Sequence, residues 1–385
     1  MKSWLTKNLI ILTLVSLAQD AASELIYPLL PLLIAGAVAS APLAIGVIEG
    51  VAEFIAGFTK LYAGKLSDRV GRKPFVTGGY SITGIGKVFT VLSFSWTGIF
   101  IGRALDRFGK GLRSTPRDAL INDSVEKENL AKAFGFHRAG DNLGAVVGPL
   151  FALLLLSIFN DDVRAVAKWA LIPALLSAVL TIFVKEIRTK SLTKSFAKVQ
   201  IPRNLKYLIA TLTLIQLTNI PDALLLLRLH ETGFSTKKVV LCYALYMFVA
   251  MSFAYPAGKL ADLYGPKIMY SFGLIAFSIS YFTLGISNSH FLAVVAISIY
   301  GIFPALTDGV GKAWIARLSS DETRGYAQGL FQSNMNFAVL AAGIWSGLIW
   351  SSGIIEIALI IAGFGALLGV LVLNLLSGKF NAANF

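Results

Sequence analysis

Long apolar runs alternate along this chain with short polar connections, and each run is about as long as a helix that crosses a bilayer, for which about 20 apolar residues are needed. By that measure the pattern predicts twelve spans, at residues 8–35, 42–65, 75–95, 97–122, 131–158, 164–185, 204–228, 235–260, 267–287, 291–316, 325–350 and 354–377. The runs exceed strand length and lack the alternation of a membrane barrel, so the elements are helices. The expectation is an all-α integral membrane protein.

The pattern repeats. Gly64-Lys65-Leu66-Ser67-Asp68-Arg69-Val70-Gly71-Arg72-Lys73-Pro74 follows span two and reads as a short basic loop. Gly258-Lys259-Leu260-Ala261-Asp262-Leu263-Tyr264-Gly265-Pro266-Lys267 repeats its skeleton 194 residues later, after span eight. Ala119 and Ile121 fall on Ala313 and Ile315, and Ala133 and Gly135 on Ala327 and Gly329, in the same register. The chain therefore divides into six-helix bundles at 1–186 and 204–385, joined by a basic linker at 187–203.

Composition agrees: 56% of residues are hydrophobic and 14% charged, with a mean hydropathy of +0.71. The net charge of +13 would suggest nucleic acid in a soluble protein. Here the Lys and Arg lie in the connections, so it marks membrane orientation and not a nucleic-acid partner. One cysteine, Cys242, allows no internal disulfide, and no Cys/His spacing suits a metal. Neither a cofactor nor a metal is expected. Lys2, Lys7 and the run Leu9–Ala18 resemble a signal peptide, but apolar sequence resumes at once, so an uncleaved first span is expected.

Connections 65–74, 186–203, 259–267 and 317–324 carry thirteen of the cations, whereas 36–41, 93–97 and 351–353 carry none. The basic set faces the cytoplasm, which puts both termini there and predicts a plasma or inner membrane location.

The first basic loop, with Gly64, Asp68, Arg69, Gly71, Arg72 and Lys73, resembles the signature of the major facilitator superfamily. Gly258, Asp262 and Gly265 stand where that superfamily repeats it. Gly144, Gly148 and Pro149 in span five resemble the motif of its antiporter branch of drug and metabolite exporters, and Arg103 with Gly109 and Gly111 resembles the span-four motif of that branch. The resemblance implies two six-helix halves that rock about a central site, gated by the loops and driven by an ion gradient, in a protein that works as a monomer. The second loop has Leu263 and Pro266 where the first has Arg69 and Arg72, so a thinner charge lock is expected there.

Ionisable groups inside spans are costly and are candidates for function. Asp20 and Glu24 are four apart on one face of span one, and Glu49 and Glu53 repeat the spacing in span two. Two close carboxylates hinder each other's ionisation, which suits proton uptake; the alternative is a structural pair. In span four Arg103, Asp106, Arg107, Lys110, Arg113 and Arg117 fall within a sector of about 120°. That stripe either lines a pathway or meets acids on neighbouring helices. Span five adds His137, Arg138 and Asp141, with His137 expected to be an ordinary residue of the cytoplasmic end. The candidate proton-coupling set is Asp20, Glu24, Glu53, Asp106 and Asp141. The candidate cavity set is Tyr27, Arg103, Arg107, Lys110 and Arg138, with Asn219, Asp222, Asp308 and Asn334 from the sparser second half.

Three histidines and one cysteine supply no catalytic constellation, so an enzyme is the remote reading. The leading one is a transporter coupled to protons that exports a small organic molecule by alternating access. An ion-coupled importer of a small organic anion is the alternative.

Overall fold

The computed structural model describes residues 4–38, 40–126, 129–187, 201–320 and 323–376. Helices account for every predicted span within these residues. In order they are α1 (Lys7–Ile26), α2 (Leu30–Ala35), α3 (Ala41–Val70), α4 (Arg72–Leu92), α5 (Trp96–Ser124), α6 (Leu130–Ile158), α7 (Val163–Lys168) and α8 (Leu171–Leu180). There follow α9 (Arg203–Gln216), α10 (Asp222–Glu231), α11 (Thr236–Tyr264), α12 (Pro266–Ile286), α13 (His290–Tyr300), α14 (Ile302–Arg317), α15 (Arg324–Ser351) and α16 (Ile355–Leu375). Among the described residues, eight helical stretches are long and apolar enough to cross a membrane. Most of the predicted linker, 188–200, lies outside the described residues, as do the chain ends.

Helix starts follow ordinary capping. Thr6 accepts from Leu9 N in front of α1, Ser95 from Gly98 N in front of α5, and Asp162 from Arg164 N and Ala165 N in front of α7. Interruptions fall where the sequence removes a donor or relaxes the turn. Span one passes through a 3-10 turn at Tyr27–Leu29, where Pro28 cannot continue the ladder. Span seven breaks between Gln216 and Asp222, ahead of Pro221, and span ten divides at Gly301. These breaks leave carbonyls to be satisfied otherwise, and Trp345 Nε1 donates to Leu217 O at 2.8 Å.

The basic loops need correction. Residues 64–70 belong to α3 and 258–264 to α11, so each reversal occurs at one glycine between two long helices. Gly71 has φ +116° and Gly265 φ +91°, in the region that L side chains resist. Gly64 needs no such freedom: it is helical, and a Cβ there would stand 2.7 Å from Thr115 Cγ2 of α5.

Contacts divide the chain into two units, Met1–Ala44 with Val51–Lys194, and Ile45–Gly50 with Ser195–Phe385. In the first, α4 packs along α5 and α1 along α6; in the second, α12 packs on α13, α14 and α16. The 194-residue repeat reappears inside them. A Cβ on Gly79 would meet Gly109 O at 2.8 Å, and one on Gly273 would meet Phe303 O at 3.4 Å, the same pair of positions in each half. Gly86 meets Gly102 O, and at the matching positions Ser280 donates to Ala296 O at 2.8 Å.

Candidate functional site

The first unit buries a cluster of charges between its helices. Gly79, Gly86, Gly102 and Gly109 bring the α4 and α5 backbones close enough that any Cβ there would clash with the facing chain. This fixes Lys87 of α4 against Asp106 of α5: Lys87 Nζ donates to Asp106 Oδ1 at 3.0 Å and to Ser23 Oγ of α1 at 2.9 Å. Lys87 and Asp106 are each 2% exposed. Arg103 Nη1 lies 3.3 Å and Arg107 Nη1 3.8 Å from Asp106 Oδ2, while Arg107 Nε lies 3.0 Å from Glu53 Oε1 of α3. The Arg103 guanidinium also stands 5.8 Å from the ring centre of Tyr27.

Part of the span-four stripe thus meets acids on its own and neighbouring helices. Lower on α5, Arg113 Nη1 donates to Thr83 Oγ1 at 3.1 Å with its guanidinium 4.3 Å from the Tyr80 ring centre. Arg117 Nη1 donates to Ser16 Oγ at 2.9 Å and pairs with Asp118. Lys110 and Arg138 are exposed.

A second seam holds the span-one acids. Gly140, Gly144 and Gly148 of α6 face α1 so closely that a Cβ on Gly144 would lie 2.5 Å from Leu17 O, and one on Gly148 2.7 Å from Ala21 O. The same positions would be 3.2 Å from Asp20 Cβ and 2.9 Å from Glu24 Cβ. The glycines that resemble the antiporter motif are therefore a close helix crossing flanked by both carboxylates. Asp20 lies within the fields of Asp141, Arg113, Lys110 and Arg117.

In the second unit Asp222 heads α10 just after the break in span seven. Tyr300 OH donates to Asp222 Oδ1 at 2.6 Å and lies 3.3 Å from Asn219 Oδ1, and Tyr246 OH donates to Asp222 Oδ2 at 3.0 Å. The two rings stack with centres 5.3 Å apart. Asn219 and Asp222 are thus brought together, whereas Asp308 is exposed on α14 and Asn334 half-buried on α15.

At the first corner Arg72 pairs with Asp123 and, at 3.3 Å, with Asp68, and its Nη1 also donates to Ala119 O at 3.0 Å. Glu186 accepts from Arg72 N at 3.1 Å and Lys73 N at 2.7 Å, capping α4. At the second corner Asp262 pairs with Arg317. Arg317 occupies the position of Asp123 in the repeat, so the missing loop arginine is replaced by one on the facing helix, with the signs exchanged.

Lys87, Glu186, Tyr246 and Tyr300 are absent from the candidates drawn from sequence. Lys87 carried a usable signal, a lone cation in an apolar run. Glu186 and the tyrosines carried none, because their roles depend on partners far along the chain.

The geometry agrees with the comparisons to known proteins. The profile described as Major Facilitator Superfamily matches residues 12–227 and 207–380. The uncharacterized MFS-type transporter MJ1317 of Methanocaldococcus jannaschii is 33% identical over 356 residues, covering 90% of this chain and 89% of that protein. The multidrug resistance protein MdtL of Shigella flexneri is 24% identical, covering 81% of this chain and 78% of its own. The crystal structure of the nucleoside transporter NupG superposes with a TM-score of 0.78 at 13% identity, over 98% of this chain and 100% of that one. With twelve helical spans in repeated halves and both family matches running through them, the chain belongs to the major facilitator superfamily of membrane transporters.

Proposed function

We propose that the chain is a proton-coupled secondary transporter that exports a small organic molecule by alternating access, with the proton gradient as its energy source. In this reading it works as a monomer in the plasma or inner membrane with both termini cytoplasmic, and 1–186 and 204–385 are the rocking halves. The observation that carries it is the α1/α6 seam, where Asp20 and Glu24 flank a glycine crossing and are the only charged residues in the predicted span 8–35. Carboxylates held there have few low-energy states besides protonation or pairing. MdtL, named for multidrug resistance, supports the direction.

Lys87, Arg103 and Arg107 share the carboxylates of Asp106 and Glu53, which offsets most of the positive charge there and weighs toward cargo without an obligatory anionic group. The exposed Lys110 favours the second reading, import of a small organic anion.

The test uses purified protein in liposomes with labelled amphiphilic cations, organic anions and nucleosides as cargo. Export coupled to protons predicts accumulation against the cargo gradient when protons flow the opposite way, abolished by a protonophore. Asp20→Asn or Glu24→Gln should remove accumulation yet leave exchange without a gradient intact. Accumulation at the native rate in both variants would overturn the assignment of the proton to this pair, and accumulation with protons flowing the same way would favour import.

A further inference from the structure

The α1/α6 seam continues beyond the two carboxylates. His137 of α6 is buried at 3% exposure. Its Nδ1 lies 3.4 Å from Thr13 Oγ1 of α1, and its Nε2 lies 3.6 Å from Asp141 Oδ1, one turn along the same helix. Neither Nε2 nor that oxygen has a hydrogen-bond partner among the described residues. Leaving buried polar atoms unsatisfied is costly, so a facing pair of them calls for an explanation. A proton shared between them supplies one, since imidazolium donates where carboxylate accepts.

The next positions extend the pair into a series. One turn beyond Asp141, Gly144 abuts Asp20, and one turn further Gly148 abuts Glu24. Four titratable groups therefore follow one seam at successive turns. Those facing His137 are Arg117 and Asp118 of α5 and Arg138 of α6. Around Asp141 are the same three together with Ser16 of α1, and around Asp20 are Asp141, Arg113, Lys110 and Arg117. Arg113 and Arg117 are each held by hydroxyl partners, Thr83 and Ser16, so they hold fixed positions beside the series.

We propose that His137 and Asp141 form a proton relay joining Asp20 and Glu24 to the end of α6 nearest the 124–130 connection. The proposal rests on the reading in which Asp20 or Glu24 carries the coupled proton. For uptake the Nε2–H bond of the imidazolium breaks, its electron pair stays on the ring, and an O–H bond forms at Asp141 Oδ1. Asp141 then gives that proton to the Asp20 carboxylate, and the neutral ring takes another at Nε2 from a hydronium ion, which leaves as water. Release runs the same steps backwards. A 3.6 Å separation closes by a small side-chain rotation, as proton-transfer contacts often do only in the working complex.

The proton itself is the probe. Infrared spectroscopy of the full chain in liposomes, after a jump in pH, follows the carbonyl stretch of protonated carboxylic acids. Asp20→Asn or Glu24→Gln identifies the band of the coupling acid. His137→Gln, His137→Asn and Asp141→Asn should then slow the rise of that band by at least about tenfold, with the final amplitude kept in the two histidine variants. Thermal unfolding checks each variant, and either histidine variant suffices. A rise at the native rate in all three overturns the relay. Absence of any band removed by Asp20→Asn or Glu24→Gln overturns the coupling reading itself, which is a different result.

Discussion

Lys87 Nζ donates to Asp106 Oδ1 at 3.0 Å, and 194 residues later the same two positions are Tyr281 and Tyr300, whose ring centres are 5.7 Å apart. One helix crossing, built twice, holds an ion pair in the first half and packed phenols in the second. Because Asp106 keeps Arg103 and Arg107 when Lys87 is removed, the loss is partial. Lys87→Met should destabilise the protein by about 3 kcal/mol, and Asp106→Leu should cost more, alone or combined with Lys87→Met, because it also takes the shared carboxylate from Arg103 and Arg107. Denaturant unfolding in detergent, run as a double-mutant cycle, reads the coupling; simple additivity would mean the pair is not coupled.

The α1/α6 crossing gives a second expectation. Gly144→Ala and Gly148→Ala place a methyl against backbone and should each cost about 1–3 kcal/mol. Gly78→Ala and Gly84→Ala meet nothing within 4 Å and should be neutral or better. Thermal unfolding of the four variants tests this, and equal melting temperatures would show that the seam tolerates a wider spacing.

The two corners should respond unequally. Arg72 and Asp123 have side chains 19% and 9% exposed, against 45% and 71% for Arg317 and Asp262. Asp123→Asn should cost about 1–3 kcal/mol, because Arg72 is partly desolvated, whereas Asp262→Asn should fall below about 1 kcal/mol. Melting curves at low and high salt check both the order and the larger salt sensitivity of the exposed pair. A reversed order would put the strength of the lock in the second half.

Glu186 caps α4 through two backbone N–H groups, and an acceptor with negative charge there is favourable. Glu186→Gln should lose a few tenths of a kcal/mol to about 1 kcal/mol, and Glu186→Ala about 1–2 kcal/mol. Amide hydrogen exchange in the first turn of α4 is the sharper readout; unchanged protection in Glu186→Ala would mean that another group takes over the cap.

The topology proposed from the charge bias is tested by single cysteines at Ser95 and Asp262 in a Cys242→Ser background. Both positions are exposed and should react with an impermeant reagent from opposite faces of the membrane. Reaction from the same face would sink the twelve-span orientation.

The helices, the repeat and the family were legible in residue order, because a bilayer demands long apolar runs with internally bonded backbone and because a repeated skeleton survives inspection at a fixed offset. Asp20, Glu24 and the span-four stripe were legible for the same reason, as charges where apolar residues belong. What only the tertiary structure decided was pairing. Lys87 meets Asp106, Glu186 meets the start of α4, and Tyr246 and Tyr300 converge on Asp222 because glycine seams and helix breaks set the register between segments far apart in sequence. The sharp turns at Gly71 and Gly265 belong to the same class: polar residues near a glycine read as a loop, yet helical hydrogen bonds run up to the glycine because nothing before it costs the backbone its ladder.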